Sequence, residues 1–178
     1  EAELRAKEQF IRDSFTRIGG LSPEFLPIIG NTIQNGYRNK AQYPVGKNEK
    51  DEAVCGFFAN HSHRIIPCES CMLEPTVFSE IKSFILEAAK EYKISAYNEA
   101  EHSGVLRHIC IRKGHYSGET CVTLVVRRNV PQLKALAFEL RKKFSEISSI
   151  TVNINKDKTN VIYGKEEKIL FGADSITD

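Results

Sequence analysis

The order of hydrophobic periods between residues 75 and 155 constrains this chain more than any other feature. Behind Pro75, the residues Val77, Ile81, Phe84, Ile85 and Ala88 recur at i, i+4, i+7, i+8 and i+11. That spacing predicts a helix over 75–92 with proline at its first position. Two strand-like runs follow, 105–113 and 119–128, joined through Gly114-His115-Tyr116-Ser117-Gly118 as a hairpin. Pro131 opens a second helix to about residue 144, striped by Leu133, Leu136, Ala137, Leu140 and Phe144. Over 149–155, Ile150, Val152 and Ile154 alternate with Thr151, Asn153 and Asn155, the period of a strand. Strand-like segments over 53–67 precede the first helix, so the order reads β-α-β-β-α-β. Each helix has one apolar stripe to bury, and packing both on one face of an antiparallel β-sheet is the economical solution. The expected class is α+β.

Outside that block, Leu4, Ile11, Phe15 and Ile18 predict an N-terminal helix over 3–18, stopped by Gly19-Gly20. A loop with Pro23, Pro27 and Gly30 follows. The expected division is therefore 1–30, a helix and linker, and 31–178, an α+β domain. Residues 37–45 read as extended, ending at Pro44 and Gly46, and short strands are expected over 160–163 and 168–171. A length of 178 residues suits one ordinary domain, and 41 % hydrophobic residues excludes wholesale disorder. No apolar run approaches the length of a membrane span. The charged first residues, Glu1 to Arg5, do not read as a secretory signal, and none is expected. There is no initiator methionine and Met72 is the only Met, so the sequence is expected to be an excised piece of a longer chain.

Lys and Arg number 25 against 23 Asp and Glu, a net charge of +2. This argues against a binder that relies on a very basic surface overall. The balance is local rather than uniform. Between 105 and 128, Arg107, Arg112, Lys113, Arg127 and Arg128 face a single acid, Glu119, with His108 and His115 nearby. Alternation puts Arg38, Lys40 and Gln42 on one face of their strand, a row of guanidinium, ammonium and amide donors suited to phosphates and base edges; taken in isolation, the strand reads sooner as a merely solvated outer face. In the hairpin, His108 and Arg112 are expected to share a face with Leu106 and Cys110, and Arg107 and Lys113 to share the other. Asn153, Asn155, Lys158 and Asn160 read as binding groups or as turn chemistry.

Five cysteines is an odd number, and nothing suggests an extracellular disulfide framework, so a reducing cytoplasm is expected. Cys55, Cys110 and Cys121 fall in strand-like runs as small buried hydrophobes. The string from His61 to Cys71 is more metal-like: His61, His63, Cys68 and Cys71 offer imidazole and thiolate. Its spacing matches no standard zinc finger, and an iron–sulfur cluster takes four thiolates, so from spacing alone ordinary thiols are the leading reading and a metal site the alternative. No GxGxxG, P-loop, HExxH or GxSxG motif is present. On motifs alone the chain looks like a binding domain rather than a complete enzyme.

Several strings nevertheless recur together in one order. They are Tyr37-Arg38-Asn39-Lys40-Ala41-Gln42; Gly56-Phe57-Phe58; Ser62-His63-x-Ile65-Ile66-x4-Cys71; Leu106-Arg107-His108-Ile109-x-Ile111-Arg112-x-Gly114; Gly118-Glu119; Asn153-x-Asn155-x3-Thr159-Asn160-Val161-Ile162-x-Gly164; and Leu170-x-Gly172. This set resembles the uracil-5-methyltransferases of ribosomal and transfer RNA, in the central region between an RNA-binding barrel and the methyltransferase domain. The resemblance implies S-adenosylmethionine as methyl donor, with the catalytic cysteine, general base and cofactor site all beyond residue 178. No cysteine here matches the catalytic one, so the chain alone is expected to be inactive. It further implies a four-iron four-sulfur cluster in the parent enzyme, with Cys71 as its fourth ligand. Cys68 departs from that pattern, and this chain alone is expected to hold no cofactor. RNA is the implied partner. Arg38, Lys40 and Gln42 lead the contact candidates, followed by His63, Arg107, His108 and Arg112. The competing expectation is a stand-alone metal- or RNA-binding module built on His61, His63, Cys68 and Cys71.

Overall fold

The computed structural model describes residues 1–178. They form two compact units, 1–34 and 35–178. In the first, α1 (Ala2–Asp13) continues into a single wider turn of π geometry, Ser14–Ile18, where the sequence predicts plain α-helix. The hydroxyls of Ser14 and Thr16 donate to the carbonyls of Phe10 and Arg12, the back-bonding that distorts helices. Glu8 and Arg12 pair at i, i+4, and the following segment brings Phe25 edge-on to Phe15 and under the Arg12 guanidinium. No α1 residue is buried.

The second unit is a seven-stranded sheet in the order β3-β2-β1-β4-β5-β6-β7. Its strands are β1 (Lys40–Lys47), β2 (Ala53–Phe58), β3 (Ile65–Pro67), β4 (Leu106–Lys113), β5 (Thr120–Val126), β6 (Ile147–Ile154) and β7 (Glu166–Gly172). Helices α2 (Thr76–Glu91) and α3 (Gln132–Lys143) complete the α+β fold, with Pro75 and Pro131 just outside them as N-caps rather than at the first helical position. All pairs are antiparallel except β5 with β6, because α3 carries the chain back to start β6 at the end where β5 began. The sheet is thus mostly antiparallel, as expected from the sequence, with one parallel pair.

Register explains the core. Tyr43, Ile109, Leu124 and Val152 form one row across four strands, and Ala41, Ile111, Val122 and Ile150 form the next. Both rows point to one face and are buried with Phe78, Ile81 and Ile85 of α2 and Leu133, Leu136 and Leu140 of α3. The helices meet through the edge-on pair Phe84–Phe144. Each large apolar side chain buried there contributes about 1.5–3 kcal/mol.

Three departures from simple alternation shape the opposite face. β1 does not end at Pro44: residues 40–44 pair with β4 and residues 45–47 with β2, and the proline, which cannot donate to a ladder, sits at the handover. In β4 a bulge lies between Leu106 and His108. It sends Leu106 into the core, although strict alternation puts it beside His108, because the extra residue breaks the period of two. Finally, residues 160–163 are an irregular loop, not a strand. Asn155 Nδ2 donates to the carbonyls of Val161 and Ile162 at 2.7 and 3.0 Å, so the loop's backbone is satisfied by a side chain instead of a ladder.

Candidate functional site

The face of the sheet away from the helices carries most of the candidate residues. Its rows are Lys40, Arg112, Cys121 and Ser149, then Gln42, Cys110, Thr123 and Thr151, then Pro44 with His108. Lys40 stands directly opposite Arg112. Like charges so placed destabilise a sheet, and an anionic partner would remove that penalty. Beside them lies a small cavity of about 280 Å³, lined also by Cys121, Tyr163 and Asp174. Gln42 Nε2 donates to the Tyr163 hydroxyl at 3.4 Å. Burial pushes the Cys110 thiol up to about 11, and burial followed by the neighbouring Cys110 pushes Tyr163 up to about 12. Both therefore stay protonated near neutrality, and Cys110 is no nucleophile. Thr123 and Thr151 close the row with a 2.9 Å hydroxyl pair.

Past His108 this face opens into a cleft of about 1020 Å³. Its walls include Lys47 at the end of β1, Lys50 from the turn that follows, His63 and Arg64, Glu99, and Asn160. His63 Nδ1 lies 2.7 and 2.8 Å from the two Glu99 carboxylate oxygens, which fixes Nδ1 as the protonated nitrogen and leaves Nε2 open. The His63 ring stacks on Phe58 with centroids 5.3 Å apart and planes 24° apart. His108 is pushed down to about 4, first by burial and then by the Arg107 charge, so it is neutral near pH 7. Its Nδ1 is buried without a partner.

Arg107 has a different place from the one its sequence suggests. The bulge buries it to 3 % exposure. Its Nη1 donates to the carbonyls of Asn155 and Asp157 at 2.8 and 2.7 Å, and its Nη2 to Thr159 at 3.2 Å. Its guanidinium lies 4.5 Å over the Tyr97 ring. These donors are spent inside the protein, so Arg107 shapes the wall carrying Thr159 and Asn160 instead of presenting charge to the cleft. Tyr97 and Lys156 are bridged by His102, whose Nδ1 is 2.8 Å from the Tyr97 hydroxyl and whose Nε2 is 3.0 Å from the Lys156 carbonyl.

Arg38 precedes β1 and is exposed; its backbone N–H donates to Leu73, as that of Gly36 does to Met72. The segment bearing Arg38 is thus stitched to the loop that follows Cys68 and Cys71. That loop is held from below by Lys82, a buried side chain that donates to the Cys68 carbonyl and lies 4.8 Å over the Tyr43 ring. Tyr43 in turn donates to the buried Glu74 at 2.5 Å. Both the Tyr43 hydroxyl and the Cys55 thiol are pushed upward chiefly by burial, the latter to about 12.

The four-residue metal site expected from His61, His63, Cys68 and Cys71 does not assemble. Cys68 Sγ points at the Ser70 carbonyl, 3.2 Å away, and His63 turns to Glu99. No three His, Cys, Asp or Glu side chains gather anywhere in the chain to hold a metal ion. Two thiols in this loop are half of what a four-iron cluster takes, so this chain's own residues do not fit a whole cluster. The structure brings His63 and His108 together in the cleft and Lys40, Gln42 and Arg112 together beyond it, with Arg38 on a separate segment. Phe58, Tyr97 and Glu99 escape a sequence reading: His63 and Glu99 are 36 positions apart, and only the fold joins them.

No protein-family model matches the chain. It is 38 % identical over 180 residues to an uncharacterized RNA methyltransferase of Bacillus cereus, an alignment covering 100 % of this chain and 39 % of the relative. It is 36 % identical to an uncharacterized RNA methyltransferase of Clostridium tetani, over 99 % of this chain and 38 % of that protein. The fold is shared with the crystal structure of Pyrococcus abyssi tRNA (uracil-54, C5)-methyltransferase in complex with S-adenosyl-L-homocysteine. The TM-score is 0.71 at 23 % identity, over 97 % of this chain and 39 % of that one. The chain spans about two fifths of the length of the curated relatives it matches. Along its whole length, then, the chain is similar to a stretch of RNA methyltransferases at 36–38 % identity.

Proposed function

We propose that this chain holds the RNA in an S-adenosylmethionine-dependent uracil-5-methyltransferase of ribosomal or transfer RNA, acting in the cytoplasm. The observation that carries the reading is the pairing of Lys40 with Arg112, on a polar face that runs through Gln42 and His108 into the cleft. With Arg38 nearby in sequence, that face offers phosphate and base-edge donors to a strand whose target uridine is turned out of its stack. The barrel that completes RNA binding and the domain supplying the nucleophile, the base and the methyl donor belong to the rest of the enzyme. So do the three thiolates that would join Cys71 around a cluster, with Cys68 beside it as a lesser candidate. The fold likeness to a tRNA uracil methyltransferase and the methyltransferase relatives support this assignment.

The test is the salt dependence of binding. Affinity of the chain for single-stranded RNA should fall linearly on a log–log scale between 50 and 200 mM salt, with a slope of about 0.7 per phosphate neutralised. The double substitution Lys40→Ala/Arg112→Ala should lower that slope by about 1.4 and leave the urea midpoint unchanged or higher, since it removes a repulsion. Binding insensitive to salt, or a slope the double variant does not change, would sink the assignment. The longer enzyme should transfer a labelled methyl group to uridine C5.

A further inference from the structure

We infer that the cleft beside His63 is a seat for one unpaired base of single-stranded RNA, stacked on the Phe58–His63 ring pair; this rests on the RNA-holding reading above. Phe58 is 46 % exposed and the His63 side chain 52 %, although the two rings cover each other in part. A large aromatic at the end of a strand gains more by being covered, and here it stays half open onto a concave surface. The partner ring is not left to rotate. Glu99 grips His63 Nδ1 with both oxygens, which locks the imidazole plane against Phe58 and keeps Nε2 for a polar edge. A flat apolar platform with one fixed polar atom is what a nucleobase needs, since every base has a π-face and hydrogen-bonding rims.

The surroundings agree. Lys50 and Arg64 line the same cleft and bring positive charge for the flanking phosphates, while Lys47 is already paired with Asp51 at 2.7 Å. Asn160 enters from the opposite wall, whose backbone Arg107 clamps at three carbonyls. A volume of about 1020 Å³ is at the upper end for a small-ligand site and leaves room for a nucleotide together with its neighbours along a strand. The platform and the Lys40/Arg112 corner lie on one continuous face, with Pro44 and His108 between them. A strand crossing that corner would reach the cleft without leaving the sheet.

The experiment uses the 178-residue chain and a single-stranded RNA containing 5-iodouridine, which crosslinks under long-wavelength ultraviolet light to aromatic rings it stacks on. Mass spectrometry is expected to place the crosslink on Phe58 or His63. Phe58→Leu, which keeps an apolar side chain but no π-face, should abolish it and weaken binding about tenfold or more. Glu99→Gln should reduce it by loosening His63. Duplex RNA of equal length should bind Phe58→Leu as well as the unaltered chain, with an unchanged urea midpoint confirming the fold. Uridine monophosphate should not displace the RNA at micromolar concentration. Crosslinks confined to other residues, equal loss of duplex binding, or displacement by the free nucleotide would each overturn the inference. Absence of any RNA binding by the unaltered chain would instead overturn the broader reading on which it rests.

Discussion

Replacing Arg107 with alanine tests the architecture of the cleft most directly. Its guanidinium serves three carbonyls of one loop, and hydrogen bonds involving a charged group contribute roughly 1.5–3 kcal/mol each. Stacking on Tyr97 adds about 0.5–2 kcal/mol. Two effects act the other way. Nε is buried without an acceptor, and removing it relieves roughly 1 kcal/mol or more. Water can also reach part of the loop once the side chain is gone. Low-end values therefore leave a net cost of about 3 kcal/mol. With a urea slope near 2 kcal/mol/M, ordinary for a chain of this size, that is a fall in midpoint of about 1.5 M. Arg107→Lys should recover less than half, because an ammonium cannot span the three carbonyls. Chemical denaturation followed by far-ultraviolet circular dichroism reads both values. Amide exchange adds the local signature: Asp157 and Val161, whose N–H groups are tied to Asn155 and Thr159, should exchange faster in Arg107→Ala. A midpoint shift under about 0.5 M with unchanged exchange at those two amides would refute the clamp.

Two further outcomes follow from buried polar groups. His108 titrates near 4 in the folded chain and near 6.5 when unfolded, so on acidification the unfolded chain takes the proton first. Its contribution to stability is complete above about pH 6.5 and is lost as the pH falls toward 4, on the order of 3 kcal/mol in all. The stability difference between the unaltered chain and His108→Gln should therefore change by about that amount over this window, and a pH-independent difference would count against it. Tyr43→Phe leaves the Glu74 side chain buried without its hydroxyl donor and should cost about 1–3 kcal/mol in urea unfolding, an effect that vanishes in a Glu74→Leu background, which has no acceptor, if the bond is its cause.

The helices were legible because their apolar stripes are uninterrupted, and Ile81, Ile85, Leu133, Leu136 and Leu140 sit where periodicity puts them. The strands were legible as elements, but their partners were not. Alternation in β6 is the same whether it runs with β5 or against it, and only the length and path of α3 decide. Leu106 and Arg107 went astray for one reason: a single inserted residue reverses every face assignment upstream of it, and nothing local announces the insertion. A guanidinium between Leu106 and Ile109, in a run otherwise bound for the core, was the available hint. Lys40, Gln42 and Arg112 share a face because they obey the period of two without interruption. The cleft was not legible, since the β2–β3 hairpin that carries Phe58 and His63 meets Glu99 and Asn160 from two distant stretches.

The handover at Pro44 has a bearing on how such a domain diversifies. Hydrogen-bonded ladders transmit register, so a slip or insertion in one hairpin ordinarily propagates into its neighbours. Here the ladder joining β1 to β4 stops at Pro44, one residue before the ladder joining β1 to β2 begins at Val45, and the proline has no N–H with which to carry a shift across. Proline acts as a firebreak. The outlying β2–β3 hairpin, with Phe58 and His63 at its turn, can change length and chemistry while the central strands keep their alignment. Sequence change would be tolerated most readily on the far side of that break.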